Sequence, residues 1–292
     1  MDILSDIKRT FKHGSVITRL IYINLGVFLL VHIIGAVYFL SGEINPLSGL
    51  LSVPSNISEL IKKPWAPFTY MFLHTGFIHL LFNILGLYWF GKLFLYRLEG
   101  DKLLGVYLMG GLSGAVFYVI SYNVFPVFES VNGLLLGASA SVFAILAAIA
   151  FYDPNSEIHL SFIGSFQLKY VALFYVLLSV IGISATNPGG NIAHLGGAAW
   201  GWFYIYQLRK GKDWGVGLVR MLDKISISIQ NWFKPKNNLK VTFKQTPRDD
   251  YEYNRLKKAE QEEINRILEK IAKSGYDSLS KSEKELLFRQ GK

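Results

Sequence analysis

Residues 17–208 consist largely of long apolar runs, and such runs leave the chain few ways to fold. A helix that crosses a bilayer needs about 20 mostly apolar residues. Six stretches answer to that description: 17–40, 72–96, 103–124, 134–152, 168–184 and 192–208. Only 17% of the residues are charged, against about a quarter in soluble domains. Several runs are rich in small residues, as in GVYLMGGLSGAVF (105–117) and HLGGAAWG (194–201). Small residues let helix backbones approach closely where lipid supplies no hydrophobic drive for packing. The expected fold is an all-α membrane protein, a compact bundle of six transmembrane helices.

Flanking charge sets the expected orientation. Lys8, Arg9 and Lys12 precede the first run and Arg19 stands at its start, Arg97 and Lys102 lie between the second and third, and Arg209, Lys210 and Lys212 follow the sixth. The opposite loops carry only Lys62 and Lys63. By the positive-inside rule both termini are expected in the cytoplasm. The first run has no small-residue cleavage pattern at its end, so no cleavable signal peptide is expected. The loop over 41–66 is long for a bundle. It reads equally well as a partly embedded interfacial segment or as a packed extramembrane loop.

After residue 208 the composition changes. Residues 209–292 hold 20 Lys/Arg and 12 Asp/Glu, supplying +8 of the net +9. Beside a membrane domain, that charge points to anionic lipid or cytoplasmic retention rather than nucleic acid. The expected organisation is a cytoplasmic N-terminal segment over 1–16, the bundle over 17–208, a basic interfacial segment and linker over 209–253, and a cytoplasmic helical hairpin over 254–292. Residues 255–273 form a charged amphipathic pattern with Gly275 placed to end it. Ser280-Lys-Ser-Glu283 has the form of a capping box before a last short helix. The absence of cysteine excludes disulfides, thiolate catalysis and Cys-based zinc sites.

Polar residues inside apolar runs are costly in lipid and are generally functional. The second run contains His74, His79 and Asn83, the fourth Ser139 and Ser141, and the sixth Asn191 and His194. With the expected orientation, all three runs cross from outside to inside. His79, Ser139 and His194 then share one layer, roughly 10 Å below the outer surface at a helical rise of 1.5 Å per residue. His79 and Asn83 are four apart, on one helix face. Ser139 stands among small residues in Gly137-Ala138-Ser139-Ala140, and Gly197 and Gly201 share the face of His194. Close packing of the fourth and sixth helices would bring imidazole and hydroxyl within hydrogen-bond reach, as nucleophilic activation requires. Ser139 is then the nucleophile and His194 its base, with the imidazole oriented by packing alone because no Asp or Glu lies in the layer. His79, Asn83 and the Ser139 backbone N–H are the expected oxyanion donors.

The set His79-x-x-x-Asn83, Gly137-x-Ser139 and Ala193-His194-x-x-Gly197-x-x-x-Gly201 resembles the rhomboid intramembrane proteases, over about residues 15–210. Pro64-Trp65 followed by Phe72-Leu73-His74 also looks like that family's approach to the second span. The resemblance implies a Ser139–His194 dyad, an oxyanion and substrate site at His79, Asn83 and Gly137, and single-span membrane proteins as substrates. It implies no cofactor. Two positions depart from the family pattern: Ala140 stands where Gly commonly follows the serine, and the Trp-Arg pair of the first outer loop is absent. The tail resembles C-terminal extensions of some bacterial rhomboids and is open to a cytoplasmic partner. The expected location is the cell (inner) membrane, with the site opening toward the outer face.

Plainer readings accompany these. His74 reads as a loop hydrogen-bonder, Ser141 as a helix-packing serine, and the glycine stripes as packing surfaces rather than phosphate loops. Metal binding at His74 and His79 lacks a neighbouring carboxylate or third histidine, and none is expected. The rival function is a catalytically inactive relative that binds or chaperones membrane proteins. A transporter would need ionisable residues through the full membrane depth, whereas here they cluster near one side.

Overall fold

A computed structural model describes residues 3–160, 164–185, 187–215, 217, 219, 220, 224 and 250–290. The chain divides into two compact units, residues 1–232 and 233–292. The first is a helical bundle. An amphipathic helix α1 (Ile3–His13) leads into α2 (Val16–Leu40), whose N-cap Ser15 accepts the Thr18 N–H. Helix α2 fully buries only Ile17, Leu20, Asn24 and Val31; Val16 and Ile21 pack partly against the core, while Leu29, Leu30, Ile33, Val37, Phe39 and Leu40 are exposed, as a lipid-facing helix requires. The remaining long helices are α6 (Phe77–Arg97), α7 (Gly100–Val124), α8 (Ser139–Tyr152), α9 (Leu168–Gly182) and α10 (Pro188–Leu208). Helices α2, α6 and α7 are long and apolar enough to cross a membrane; α8 and α9 are shorter apolar helices.

At the heart of the bundle α7, α8 and α10 meet through small residues. A Cβ on Gly197 would overlap the Ala140 carbonyl oxygen, and one on Gly201 the Ala144 carbonyl. Gly110 and Gly114 of α7 approach the Ala144 and Ala140 methyls in the same way. Backbone-to-backbone contact replaces side-chain interdigitation here, and many weak dispersion contacts hold the helices together. Around this seam Tyr70, Met71, Phe94, Leu103, Tyr107, Ile145, Ile149 and Tyr204 are fully buried. At one end of the bundle Arg97 pairs with Asp153 at 2.6 Å, which joins the ends of α6 and α8.

The segment after α2 is folded by its own hydrogen bonds. It contains the short helices α3 (Leu47–Leu51) and α4 (Ile57–Ile61), the two-residue strand β1 (Val53–Pro54), and α5 (Ala66–Thr69) followed by a 3-10 turn, Tyr70–Phe72. Trp65 Nε1 donates to the Leu50 carbonyl at 2.9 Å, and Thr69 Oγ1 to that of Leu51 at 2.8 Å. Strand β1 pairs antiparallel with β2 (Leu134–Leu135), Val53 opposite Leu135.

That pairing corrects one expectation. The fourth apolar run does not become helical at residue 134: β1 captures Leu134 and Leu135, Gly137 turns at φ +117°, and α8 starts at Ser139. The second run also becomes α-helical only at Phe77, so His74 lies in the preceding loop and not on the helix of His79. After α8 a hairpin of β3 (Glu157–Leu160) and β4 (Gly164–Gln167), invisible in the hydropathy pattern, leads into α9. The basic interfacial segment and linker expected over 209–253 fall mostly outside the described residues.

In the second unit α11 (Asp250–Ser274) begins earlier than the expected Arg255 and ends before Gly275, which turns at φ +76°. Ser280 and Glu283 form the reciprocal cap of α12 (Lys281–Gln290): the Ser280 N–H donates to Glu283 Oε2 at 2.7 Å, and the Glu283 N–H to Ser280 Oγ at 3.3 Å. Lys270 pairs with Glu283 at 2.9 Å, joining the two helices.

Candidate active site

Ser139 is the first residue of α8, with Ala138 as N-cap. The first N–H groups of a helix have no intrahelical partner, and those just before Ser139 are tied elsewhere. The Gly137 N–H donates to the Tyr70 carbonyl at 2.9 Å, and the Ala138 N–H to His74 Nε2 at 3.4 Å. His74 is fully buried and stands 5.0 Å from the His79 ring, centroid to centroid. It is therefore the brace that holds the turn before the serine. With the two preceding amides engaged, the Ser139 N–H is left at the open head of the helix.

Ser139 Oγ and His194 Nε2 are 2.7 Å apart, a hydrogen bond between residues 55 positions apart in the chain. Its physical origin is the seam described above. Gly197, one turn after His194, rests against the backbone of Ala140, the residue after the serine. A Cβ at 197 would overlap that backbone, so glycine is what permits this approach of the two helices. Phe143, one turn after Ser139 on α8, stacks on the His194 ring with centroids 4.2 Å apart and planes at 14°. His194 Nδ1 lies 3.3 Å from Ser179 Oγ on α9. The imidazole is thus held by a hydrogen-bond partner as well as by packing, which corrects the expectation that packing alone orients it.

His79, the third residue of α6, approaches from the other side. The site of a Cβ on Gly137 is 2.9 Å from His79 Nε2 and 3.8 Å from Ser139 Oγ, so imidazole and hydroxyl border the same small space. Gly137 is required there twice over, by its positive φ and by the His79 ring. Asn83 is buried, and its Nδ2 donates to the His79 carbonyl at 2.8 Å. One of its two N–H hydrogens is therefore spent on the helix, and only the other remains for a ligand. The structure brings Ser139, His194, His79 and Gly137 together directly; no hydrogen bond among the described residues joins Asn83 to Ser139 or His194.

The remaining polar residues take structural places. Ser141 is fully buried, and a Cβ on Gly111 would come within 2.7 Å of its Oγ. Asn187 caps α10 by accepting the Gly190 N–H at 3.0 Å. Glu99 precedes α7 and pairs with Lys102 at 2.8 Å. Among the described residues no group of three or more His, Cys, Asp or Glu could hold a metal ion. Sequence reasoning missed Phe143 and Ser179. Phe143 carried a signal, the spacing of four from Ser139; a single serine in an apolar helix such as α9 carries none.

Residues 62–211 match the family model described as the Rhomboid domain, and residues 249–290 match a model described as a family of unknown function. RHOMBOID-like protein 12, mitochondrial, of Arabidopsis thaliana is 27% identical over 70% of this chain and 64% of its own length. Presenilin-associated rhomboid-like protein A, mitochondrial, of Danio rerio is 32% identical over 46% of this chain and 35% of its own length. Rhomboid-like protein 11, chloroplastic, of A. thaliana is 28% identical over 72% of this chain and 71% of its own length. The chain thus spans less than two thirds of the length of the first two relatives.

Proposed function

Because the chain belongs to the rhomboid family, its Rhomboid domain match covering half of its length, we propose that it is an intramembrane serine endopeptidase acting through a Ser139–His194 dyad. The observation that carries this reading is the 2.7 Å contact between Ser139 Oγ and His194 Nε2. Ser139 Oγ attacks a substrate carbonyl carbon as its proton passes to His194 Nε2. The C–N bond then breaks, Nε2 gives that proton to the leaving amine, and an acyl-enzyme remains. Water releases the acyl group by the same proton route in reverse. The Ser139 N–H, His79 and the free N–H of Asn83 serve the developing oxyanion, and Gly137 leaves room for it.

The chain is a membrane protein. For its arrangement we propose six crossings, α2, α6, α7, α8, α9 and α10, with both termini in the cytoplasm of a cell whose inner membrane holds it. The positive flanking charge supports this orientation. The length of α8 supports a recessed site: 14 residues extend about 21 Å of a hydrocarbon core about 30 Å thick. With Tyr152 at the inner boundary, Ser139 sits about 9 Å short of the outer one. Single-span membrane proteins are the proposed substrates, since their helices reach that depth. The domain organisation proposed is the protease over 17–208, a basic tether over 209–253 and the helical hairpin beyond it, which serves a cytoplasmic partner.

The test is cleavage of a single-span model substrate by the purified protein in liposomes. Cleavage by wild type that is lost in Ser139→Ala and His194→Ala is expected. Equal cleavage by the variants would overturn the mechanism. Substrate binding without cleavage by any form would favour an inactive, membrane-protein-binding relative.

A further inference from the structure

We propose that Ser179 on α9 is a positioning residue that fixes His194 as its Nδ1–H tautomer, leaving Nε2 bare to accept the Ser139 proton; the inference rests on the dyad reading above. A hydroxyl has one hydrogen. Ser179 Oγ is 3.0 Å from the Tyr175 carbonyl four residues back on its own helix, where a helical serine normally donates. Its lone pairs are then what faces His194 Nδ1 at 3.3 Å, and only an Nδ1–H satisfies that contact. A neutral imidazole has a single N–H. Nε2 is therefore the acceptor in the 2.7 Å contact, and the hydrogen in it comes from Ser139. Ser139 O–H to Nε2, Nδ1–H to Ser179, and Ser179 O–H to the Tyr175 carbonyl form one chain of a single polarity.

Two further observations favour this role. Helix α9 buries only Leu168 and Ser179, while apolar neighbours such as Phe174, Leu177 and Leu178 are exposed. A helix that turns a serine inward and leaves leucines outside has a specific partner for the hydroxyl. The register of α9 on α10 is also set a second time, one turn away. Three residues after Ser179, a Cβ on Gly182 would come within 2.6 Å of Asn191 Nδ2, three residues before His194. Helices α6, α8, α9 and α10 contain no Asp or Glu. The orienting task that a buried carboxylate performs in serine triads thus falls to a neutral hydroxyl, without an anion in those four helices. During attack the Ser139 proton moves to Nε2 while Nδ1–H stays on Ser179. When the amine takes the Nε2 proton, the ring returns to the same tautomer.

The test uses the full-length protein in liposomes with the single-span substrate, together with ¹⁵N NMR of histidine-labelled protein. Ser179→Ala is expected to lower kcat about tenfold, the effect of one lost hydrogen bond of this kind, with KM unchanged. Ser179→Thr, which keeps a hydroxyl at that position, is expected to restore most of the rate. The His194 spectrum is expected to show Nδ1–H in wild type and a mixture of tautomers in Ser179→Ala. Wild-type kcat in Ser179→Ala beside an inactive Ser139→Ala would overturn the role of Ser179 and leave the dyad standing. An Nε2–H tautomer in wild type would overturn it without any variant or activity. Cleavage by Ser139→Ala at the wild-type rate would remove the dyad and this inference with it.

Discussion

Replacing Gly197 by alanine should part Ser139 from His194, the proposed nucleophile and base, through a single methyl group. A Cβ at 197 would overlap the Ala140 carbonyl oxygen and stand 2.8 Å from the Ala140 carbonyl carbon and 3.1 Å from its Cα. These are backbone atoms of α8, so no rotamer change relieves the clash; α8 and α10 must part by on the order of 1 Å to regain ordinary contact. The displaced residues adjoin the dyad: Ala140 follows Ser139, and Gly197 is one turn from His194. Widening the 2.7 Å contact by that amount takes it past hydrogen-bond length. A misplacement of about 1 Å can lower a rate about 100-fold, and overpacking a core costs about 1–3 kcal/mol of stability. Cleavage rate and thermal unfolding of Gly197→Ala read the two effects separately. Gly26→Ala is the control, because nothing lies within 4 Å of its Cβ site. Wild-type kcat in a folded Gly197→Ala protein would refute the claim that this seam sets the dyad distance.

Other substitutions probe the remaining parts. Gly137→Ala forces a side chain to φ +117° and into the His79 ring; cleavage is expected to fall at least tenfold, whereas a rate equal to wild type would show that the turn tolerates a methyl group. Phe143→Ala removes the ring stacked on His194, a contact of about 1 kcal/mol, and should lower kcat several-fold, with Phe143→Tyr close to wild type; unchanged kcat in the alanine variant would remove Phe143 from the account. With His79 as the proposed oxyanion donor, His79→Ala should cost about 100-fold in kcat, the usual effect of losing one such donor. In the tail, Glu283 is held down from 4.5 to about 2 by the Ser280 N–H and by Lys270. Its contribution to the hairpin is present above its ordinary pKa and lost as pH falls from about 4.5 toward 2. An NMR carboxyl titration should find that low midpoint in wild type and a higher one in Lys270→Met; a wild-type midpoint near 4.5 would contradict the cap.

The sequence made the long helices legible because each is a local pattern of apolar residues with its own ends. Helices α2, α7 and α9 begin or end within three residues of the expected bounds. The small-residue faces of α8 and α10 were legible for the same reason, since 3.6-residue periodicity puts Gly197 and Gly201 under His194. What escaped depends on partners far away in the chain. The start of α8 at Ser139 follows from Val53 pairing with Leu135, a contact that no local pattern announces. His74 read as a loop hydrogen-bonder and is one, but its partner, the Ala138 N–H 64 residues on, could not be named from the chain. Asn83 was expected to aim wholly at a ligand, but half of its donor capacity closes on the His79 carbonyl. Ser179 shows the limit most plainly. Alone it is one hydroxyl in an apolar helix, and it gains a role only when α9 packs on α10.

The central claim is that His194 activates Ser139. Its most direct measurement is mass spectrometry of the intact protein after reaction with a fluorophosphonate, which modifies an activated serine and leaves ordinary serines alone. One adduct is expected on wild-type protein, mapped to Ser139, and none on folded His194→Ala. An adduct at Ser141 or elsewhere, or labelling of Ser139 undiminished in His194→Ala, would contradict it.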